Sequence, residues 1–84
     1  MFVQIYCVRD SKSEAYLQPM FFATNAAAIR AFQDVINDGK SNFSKHPEDY
    51  TMFHIGSYDD ASGTLVSMNP ESVVKAVDLV NPVS

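Results

Sequence analysis

The 84-residue sequence lacks the features of a disulfide-stabilised protein or of a membrane-spanning protein. Its single cysteine, Cys7, cannot form a disulfide within the chain, so apolar packing or association with other copies must stabilise the fold. No apolar run approaches the ~20 residues that a membrane-spanning helix needs, and the first residues lack the basic segment of a signal peptide. We therefore expect a soluble protein in a reducing cytoplasm, without a membrane partner.

Positive charge is also scarce in this sequence. Six lysine and arginine residues stand against ten aspartate and glutamate residues, which gives a formal net charge of -4. A DNA-binding protein that contacts about 6–10 phosphates without regard to sequence needs about as many cations. A single copy of this chain should therefore bind DNA poorly, whereas a symmetric oligomer could collect the few cations on one face.

Motifs for catalysis and for cofactor binding are missing as well. The chain contains neither a Gly-x-Gly-x-x-Gly sequence nor a Walker-type loop, so nothing supports a nucleotide pocket. A cysteine in an apolar strand, such as Cys7, is usually a packed core residue rather than a nucleophile. We predict a non-enzymatic protein with no catalytic residue and no cofactor, and an enzyme that uses Cys7 or the histidines is the minority alternative.

The histidines and the acids near them do not show the tight spacing of a metal site, so we predict none. We expect His46 to be solvated in a loop and His54 to lie on the polar face of a strand. Asp59 and Asp60 are better explained as turn residues, because short carboxylates accept hydrogen bonds from nearby backbone amides.

The first part of the chain predicts a β-hairpin. Residues 2–8 are apolar at nearly every position, which suits a central strand with both faces covered. A second strand is predicted over residues 15–23. Pro19 lies inside it, and because proline cannot donate to the hydrogen-bond ladder we expect this strand to lie at a sheet edge or to carry a bulge.

The middle of the chain predicts an amphipathic helix over residues 26–38. Thr24 or Asn25 is placed to cap its N-terminus, and Gly39 is the expected stop. An apolar stripe recurs at helical spacing along one side of this segment. We expect the stripe to pack against the sheet through Ala28, Phe32, Val35 and Ile36.

The last third of the chain predicts a second hairpin and a short tail element. Residues 51–58 alternate, with Met52, His54, Gly56 and Tyr58 on one face, and residues 64–68 supply a partner strand across a turn with Gly63 in the left-handed conformation. The tail begins with a helix-start pattern at residues 69–72, but its later residues are rich in β-branched side chains. We favour a helix there, and a short strand is the alternative.

These elements predict one small α+β domain over residues 1–84, with a ββαββ order, an antiparallel sheet and one packed helix. Residues 1–68 form its core module and residues 69–84 its C-terminal element, a helix or a strand. A domain of this size buries only roughly 60–65% of the surface that its unfolded chain exposes. Homo-oligomerisation is therefore expected, because small domains gain apolar burial that way and edge strands invite pairing.

Candidate residues for contact with nucleic acid follow from aromatic and basic side chains near strand ends and loops. Exposed aromatic side chains on a sheet stack on bases at roughly 1–3 kcal/mol each, although most aromatics in so small a domain should belong to the core. We select four cations and two aromatics as candidates: Arg9, Lys12, Lys40, Lys45, Tyr16 and Tyr58.

Three segments, at residues 10–19, 27–32 and 45–51, together resemble the small non-structural protein of gokushovirus-type microviruses, which are single-stranded DNA bacteriophages. The resemblance covers most of residues 1–66. It implies a phage early or replication protein in the host cell cytoplasm, with a role in steering genome synthesis toward single strands for packaging.

The sequence therefore predicts a phage accessory protein for genome replication or packaging that binds single-stranded DNA as an oligomer. The alternative is a protein-interaction module that binds a phage or host replication or assembly factor without contacting DNA. The acidic balance of the chain favours this alternative.

Overall fold

The computed structural model describes residues 1–81, which form an antiparallel sheet with a layer of helices on one side. The outermost residues of the predicted C-terminal element, 82–84, lie outside the described part. Two 3₁₀ turns, at Pro47–Asp49 and Ala76–Leu79, accompany the regular elements. The strands and helices are β1 (Phe2–Asp10), β2 (Ala15–Tyr16), β3 (Met20–Phe22), α1 (Asn25–Ile36), α2 (Asn42–Lys45), β4 (Tyr50–Asp59) and β5 (Thr64–Lys75).

Strand β1 lies in the middle of the sheet, as its apolar sequence predicted. It pairs with β4 on one side and with β2 and β3 on the other, and β5 completes the sheet beyond β4. The predicted second strand is divided into β2 and β3, with Pro19 between them. Because proline has no amide hydrogen to donate, the break falls at this position. The edge position is confirmed, but the continuous strand predicted over residues 15–23 is not formed.

Helix α1 begins where the sequence predicted and ends earlier. The hydroxyl of Thr24 accepts a hydrogen bond from the Ala27 backbone amide at 3.1 Å, which caps the N-terminus. Asn37 rather than Gly39 ends the helix: its side-chain amide donates to the Gln33 carbonyl at 2.9 Å. Gly39 lies beyond the helix, in the turn before α2, with a φ of +74°.

The helix and the sheet enclose one apolar core. Three of the four helix residues predicted to face the sheet are buried, but Val35 is 37% exposed, because the buried stripe of α1 repeats every four residues and is narrower than expected. Phe43 of α2 packs its ring edge-on against Tyr50, with ring centroids 4.7 Å apart. The buried members of this core are Tyr6, Val8, Ala28, Phe32, Ile36, Tyr50, Met52 and Ala76.

The second hairpin forms as predicted at its turn. The Asp59 carboxylate accepts hydrogen bonds from the Ala61 amide and the Ser62 hydroxyl, each at 3.0 Å. Gly63 has a φ of +73°, in the left-handed region that glycine tolerates. Asp59 is therefore a turn residue, as its sequence context indicated.

The preference for a helix in the tail was wrong, because β5 continues as a strand to Lys75. The helix-start pattern at Asn69 and Pro70 falls where pairing is interrupted: Ser67 pairs with Gly56 and Glu71 with His54, with a register shift between them. A proline is tolerated at such an irregularity on an edge strand. Pairing with β4, a long-range contact, overrides the local helix signal.

Candidate nucleic-acid interface

All helical elements of residues 1–81 lie on one side of the sheet. Helix α2 and the 3₁₀ turn at Ala76–Leu79 contribute Phe43, Ala76 and Leu79 to the same core as α1. Ile5 and Cys7 of β1 are also buried, but they do not belong to that core cluster. Successive residues of a strand point to opposite faces, so these two side chains lie on the face that carries no helix. We call this second face the open face.

A β-bulge in β4 determines which residues reach the open face. Tyr6 pairs with His54 and Ile5 pairs with Gly56, so Ile55 is the extra residue. Beyond the bulge the alternation of β4 is inverted, and Tyr58 pairs with Val3 on the open face. The expectation that Tyr58 shares a face with Met52 and His54 was wrong for this reason.

Two aromatic pairs cover part of the open face. Tyr16 packs edge-on against Phe53, with ring centroids 5.6 Å apart, and Phe21 packs edge-on against Tyr58 at 6.4 Å. Tyr16 is 47% exposed and Phe21 is 54% exposed, so both rings present apolar surface to solvent. Strand β4 supplies the less exposed ring of each pair. The short edge strands β2 and β3 supply the more exposed rings, Tyr16 and Phe21.

Two cations lie in one row on the open face. Arg9 pairs with Tyr16 on one side and with Thr51 on the other, and Thr51 pairs with Lys75 of β5. Residues directly paired across a sheet share a face, so Tyr16, Arg9, Thr51 and Lys75 form a row perpendicular to the strands. Neighbouring strands are about 4.8 Å apart, which places the backbones of Arg9 and Lys75 about 10 Å apart.

Acidic residues are segregated from this row. The strands contain three acids, and each is paired with a residue of the helix side: Asp10 with Tyr50, Asp59 with Phe2, and Glu71 with His54. The other acids of residues 1–81 lie in turns or helical segments. No acid in the described part of the chain therefore occupies a paired strand position on the open face, although the net charge of the whole chain is -4.

The structure brings together only some of the residues that the sequence selected. Arg9, Tyr16 and Tyr58 lie on the open face. Lys12 is exposed in the turn between β1 and β2, close to the Arg9 end of the row, and its backbone amide donates to Asp10 at 3.0 Å. Lys40 lies between α1 and α2, and Lys45 is the last residue of α2, so both belong to the helix side.

Sequence reasoning missed two residues of the open face, Phe21 and Lys75. Phe21 lies in the proline-interrupted strand, where the alternation is too short to assign a face. Lys75 was placed in the predicted tail helix, and only the strand alternative would have brought it beside Thr51. By contrast, Tyr6 and Phe22, two further aromatics in predicted strands, belong to the core or pack against it.

Cys7 and His54 are both held by packing or hydrogen bonds within the sheet. Cys7 is 4% exposed, and burial raises the pKa of its thiol, so the thiol stays protonated near neutral pH, as expected of a packed cysteine. His54 stacks on Tyr6 with ring centroids 5.1 Å apart. Its Nε2 lies 2.8 Å from Gln4 Oε1 and 3.0 Å from the Gly56 carbonyl, and since both are acceptors Nε2 is the donor. His54 therefore links the bulge in β4 to β1. Its side chain lies on the helix side of the sheet rather than on a polar strand face.

His46 is exposed, as its loop position predicted, and has one feature that the sequence did not indicate. Ligand atoms of His46, Glu48 and Asp49 all lie within 4.8 Å of one another. This spacing would allow the three residues to share a cation. They lie on the 3₁₀ turn of the helix side, away from the open face.

Neither helix described for this chain has the length and apolar character that crossing a bilayer requires. A family model described as Phage ORF5 protein matches residues 3–79, which include every strand and helix from β1 to the second 3₁₀ turn apart from one terminal residue of β1. No curated protein and no solved structure matches the chain. The match confirms the phage-encoded part of the resemblance, and the gokushovirus type and DNA binding stay predictions.

Proposed function

We propose that this chain, which belongs to the Phage ORF5 protein family, binds single-stranded DNA on its open face during phage genome replication or packaging. Family membership makes it a small phage-encoded accessory protein. In our proposal the protein is not an enzyme, acts in the host cytoplasm and works as a homo-oligomer. The narrower kinship with gokushovirus-type phages is part of the same proposal.

The observation that carries this proposal is the coincidence of aromatics and cations on a face without acids. Exposed aromatic rings stack on unpaired bases at roughly 1–3 kcal/mol per base, without preference for sequence. Tyr16 and Phe21 offer such rings, and Arg9 lies beside Tyr16 in the sheet. A base stacked on Tyr16 would place its phosphate within reach of the Arg9 guanidinium.

The acidic balance of the chain is compatible with this site because the charges are separated in space. Interactions between exposed charges are largely screened beyond about 8 Å at physiological ionic strength. Acids on the helix side therefore repel a DNA strand bound at the open face less strongly than Arg9 and Lys75 attract it. Two cations per chain still give only weak attraction, and this supports an oligomer that adds the cations of several copies.

The test is an anisotropy titration with a fluorescein-labelled oligothymidylate at several salt concentrations. Arg9→Gln should weaken binding, and it should reduce the slope of log K against log [salt] by about 0.7 for one lost phosphate contact. Arg30→Gln is the matched control, because Arg30 is an exposed arginine of α1 on the helix side. Equal effects of the two substitutions, or binding that does not depend on salt, would refute the open face as the site.

Stacking is tested separately with Tyr16→Ala. The side chain is 47% exposed, so its removal should leave the fold intact while DNA affinity falls roughly 5- to 150-fold, the equivalent of about 1–3 kcal/mol. Circular dichroism of the variant checks the fold. Unchanged affinity in a folded Tyr16→Ala protein would contradict the proposed stacking.

A second candidate function, binding of a phage or host replication or assembly factor, is favoured by the acidic helix side and by an apolar groove. The groove lies where the edge strand is interrupted and is lined by Val8, Tyr16, Leu17, Pro19, Met20 and Phe43, with Gln18. A partner retained after nuclease treatment, lost with Leu17→Asp and kept with Arg9→Gln would support this function. Loss of the partner with nuclease alone would support the DNA site instead.

A further inference from the structure

The sheet has two edges, and they differ in how well they resist pairing with another strand. On one side, β2 and β3 are only two and three residues long and are separated at Pro19. Short strands and proline are devices that natural proteins use to protect a sheet edge. On the other side, β5 is 12 residues long, and no other strand of the described chain pairs with its outer edge.

The two halves of β5 also differ. Its second half contains Pro70, two register shifts against β4, and the charged residues Glu71 and Lys75. The first half, Thr64–Met68, contains no charge and no proline, and its residues Thr64–Ser67 pair with β4 without a register shift. Leu65 is 66% exposed and Val66 is 49% exposed. A regular, uncharged, apolar edge segment of this kind is a site for pairing with another extended chain.

We propose that residues 64–68 of one copy pair antiparallel with the same residues of a second copy, with a two-fold axis at Val66. In this register Thr64 faces Met68 of the partner subunit and Leu65 faces the partner's Ser67. A second copy fits because the segment is uncharged, so two acidic chains meet there without direct repulsion. Val66 then faces itself across the axis, and β-branched side chains suit such a cross-strand pair.

This pairing deepens the proposed function, on which the following consequence rests. A two-fold axis perpendicular to the sheet keeps both open faces on the same side. The two rows of Arg9 and Lys75 then belong to one continuous sheet, and the number of cations on the open face doubles. A single-stranded DNA long enough to cross both subunits would contact both rows.

Sedimentation equilibrium in the absence of DNA tests the pairing itself. The wild-type chain should have twice its monomer mass of 9.3 kDa. Val66→Lys should raise the dimer dissociation constant at least tenfold, because it places two ammonium groups opposite each other at the axis. Val77→Lys is the matched control: Val77 is 44% exposed, lies in the 3₁₀ turn and should leave the dimer unchanged. A monomeric wild type, or equal masses for the two variants, would overturn the proposal.

A cross-linking variant gives an independent measurement. Residues directly opposite in antiparallel strands have Cβ atoms about 4.5–5.5 Å apart, so thiols introduced by Val66→Cys should approach closely enough to form an intermolecular disulfide when diamide is added as oxidant. The native Cys7 is 4% exposed and should give little background. Val77→Cys should stay monomeric on a non-reducing gel. Equal cross-linking of both variants would contradict an axis at Val66.

The DNA titration separates failure of this inference from failure of the proposed function. Val66→Lys and Val77→Lys each add one cation, so any difference between their DNA affinities reflects the dimer. We expect the salt slope of Val66→Lys to be about half that of Val77→Lys. Identical slopes with tight binding would overturn the dimer and leave the DNA site standing, whereas a dimer that binds no DNA would overturn the DNA site alone.

Discussion

Replacement of Gly56 by alanine should strongly destabilise this protein. A Cβ atom at position 56 would lie 2.3 Å from the Val66 carbonyl oxygen and 3.3 Å from its carbonyl carbon. Ordinary van der Waals contact begins at 3.4 Å, so β4 and β5 would have to separate by about 1 Å beside the bulge. The obstacle is backbone, which cannot rotate away as a flexible side chain could.

The size of the effect follows from the cost of overpacking. Such insertions typically cost about 1–3 kcal/mol, against a total stability of roughly 4–13 kcal/mol for a domain of this length. For a domain of this size each kcal/mol lowers the melting temperature by about 4–8 °C. We therefore expect Gly56→Ala to melt roughly 4–24 °C below the wild type.

The assay is thermal unfolding followed by far-ultraviolet circular dichroism, with urea unfolding as a second measure. Ser57→Ala is the control, because it changes the neighbouring residue without adding an atom near β5, and its effect should stay within about 0.5 kcal/mol. If Gly56→Ala unfolds at the same temperature as the wild type, then the close approach of β4 and β5 at the bulge does not occur and our account of the open face loses its basis.

Two further predictions concern titratable groups. Burial raises the pKa of Cys7, so Ellman's reagent should label the native thiol far more slowly than the urea-unfolded thiol, and equal rates would contradict its burial. Hydrogen bonds from the amides of Lys40 and Ser41 lower the pKa of Asp38, so its stabilising contribution is present above about pH 3.9 and is lost as the pH falls through the lowered folded-state value. The urea midpoints of wild type and Asp38→Asn should therefore differ near neutral pH and converge in acid, and a difference that persists in acid would contradict this role.

The sequence predicted the elements whose signals are local. The Thr24 cap, the edge position of the segment around Pro19 and the left-handed Gly63 each depend on the chemistry of a few neighbouring residues, and the structure confirms all three. The end of α1 was misplaced because Asn37 supplies hydrogen bonds that a glycine stop would not. One of these bonds goes from Asn37 Nδ2 to the Leu79 carbonyl at 2.9 Å, a contact between distant parts of the chain.

The elements that failed depend on long-range pairing. Residues 69–72 carry a helix-start pattern, and only the presence of β4 beside them makes a strand more favourable. The open face could not be assembled from the sequence for a related reason. One extra residue at Ile55 inverts the alternation of β4, so Phe53 and Tyr58, which simple alternation places on opposite faces, lie on the same one. The sequence identifies candidate aromatics and cations, but it does not show which of them lie on the same face of the sheet.

Helix α1 has 12 residues and is therefore about 18 Å long, whereas the longest dimension of the molecule is 47 Å. No residue of β4 beyond Met52 belongs to the buried core cluster. Amide hydrogens toward the turn at Asp59 should therefore exchange with solvent through local opening, while those near Met52 exchange only when the whole domain unfolds. The domain is therefore rigid at the end near Met52, and the turn at Asp59 can change conformation when it contacts another molecule.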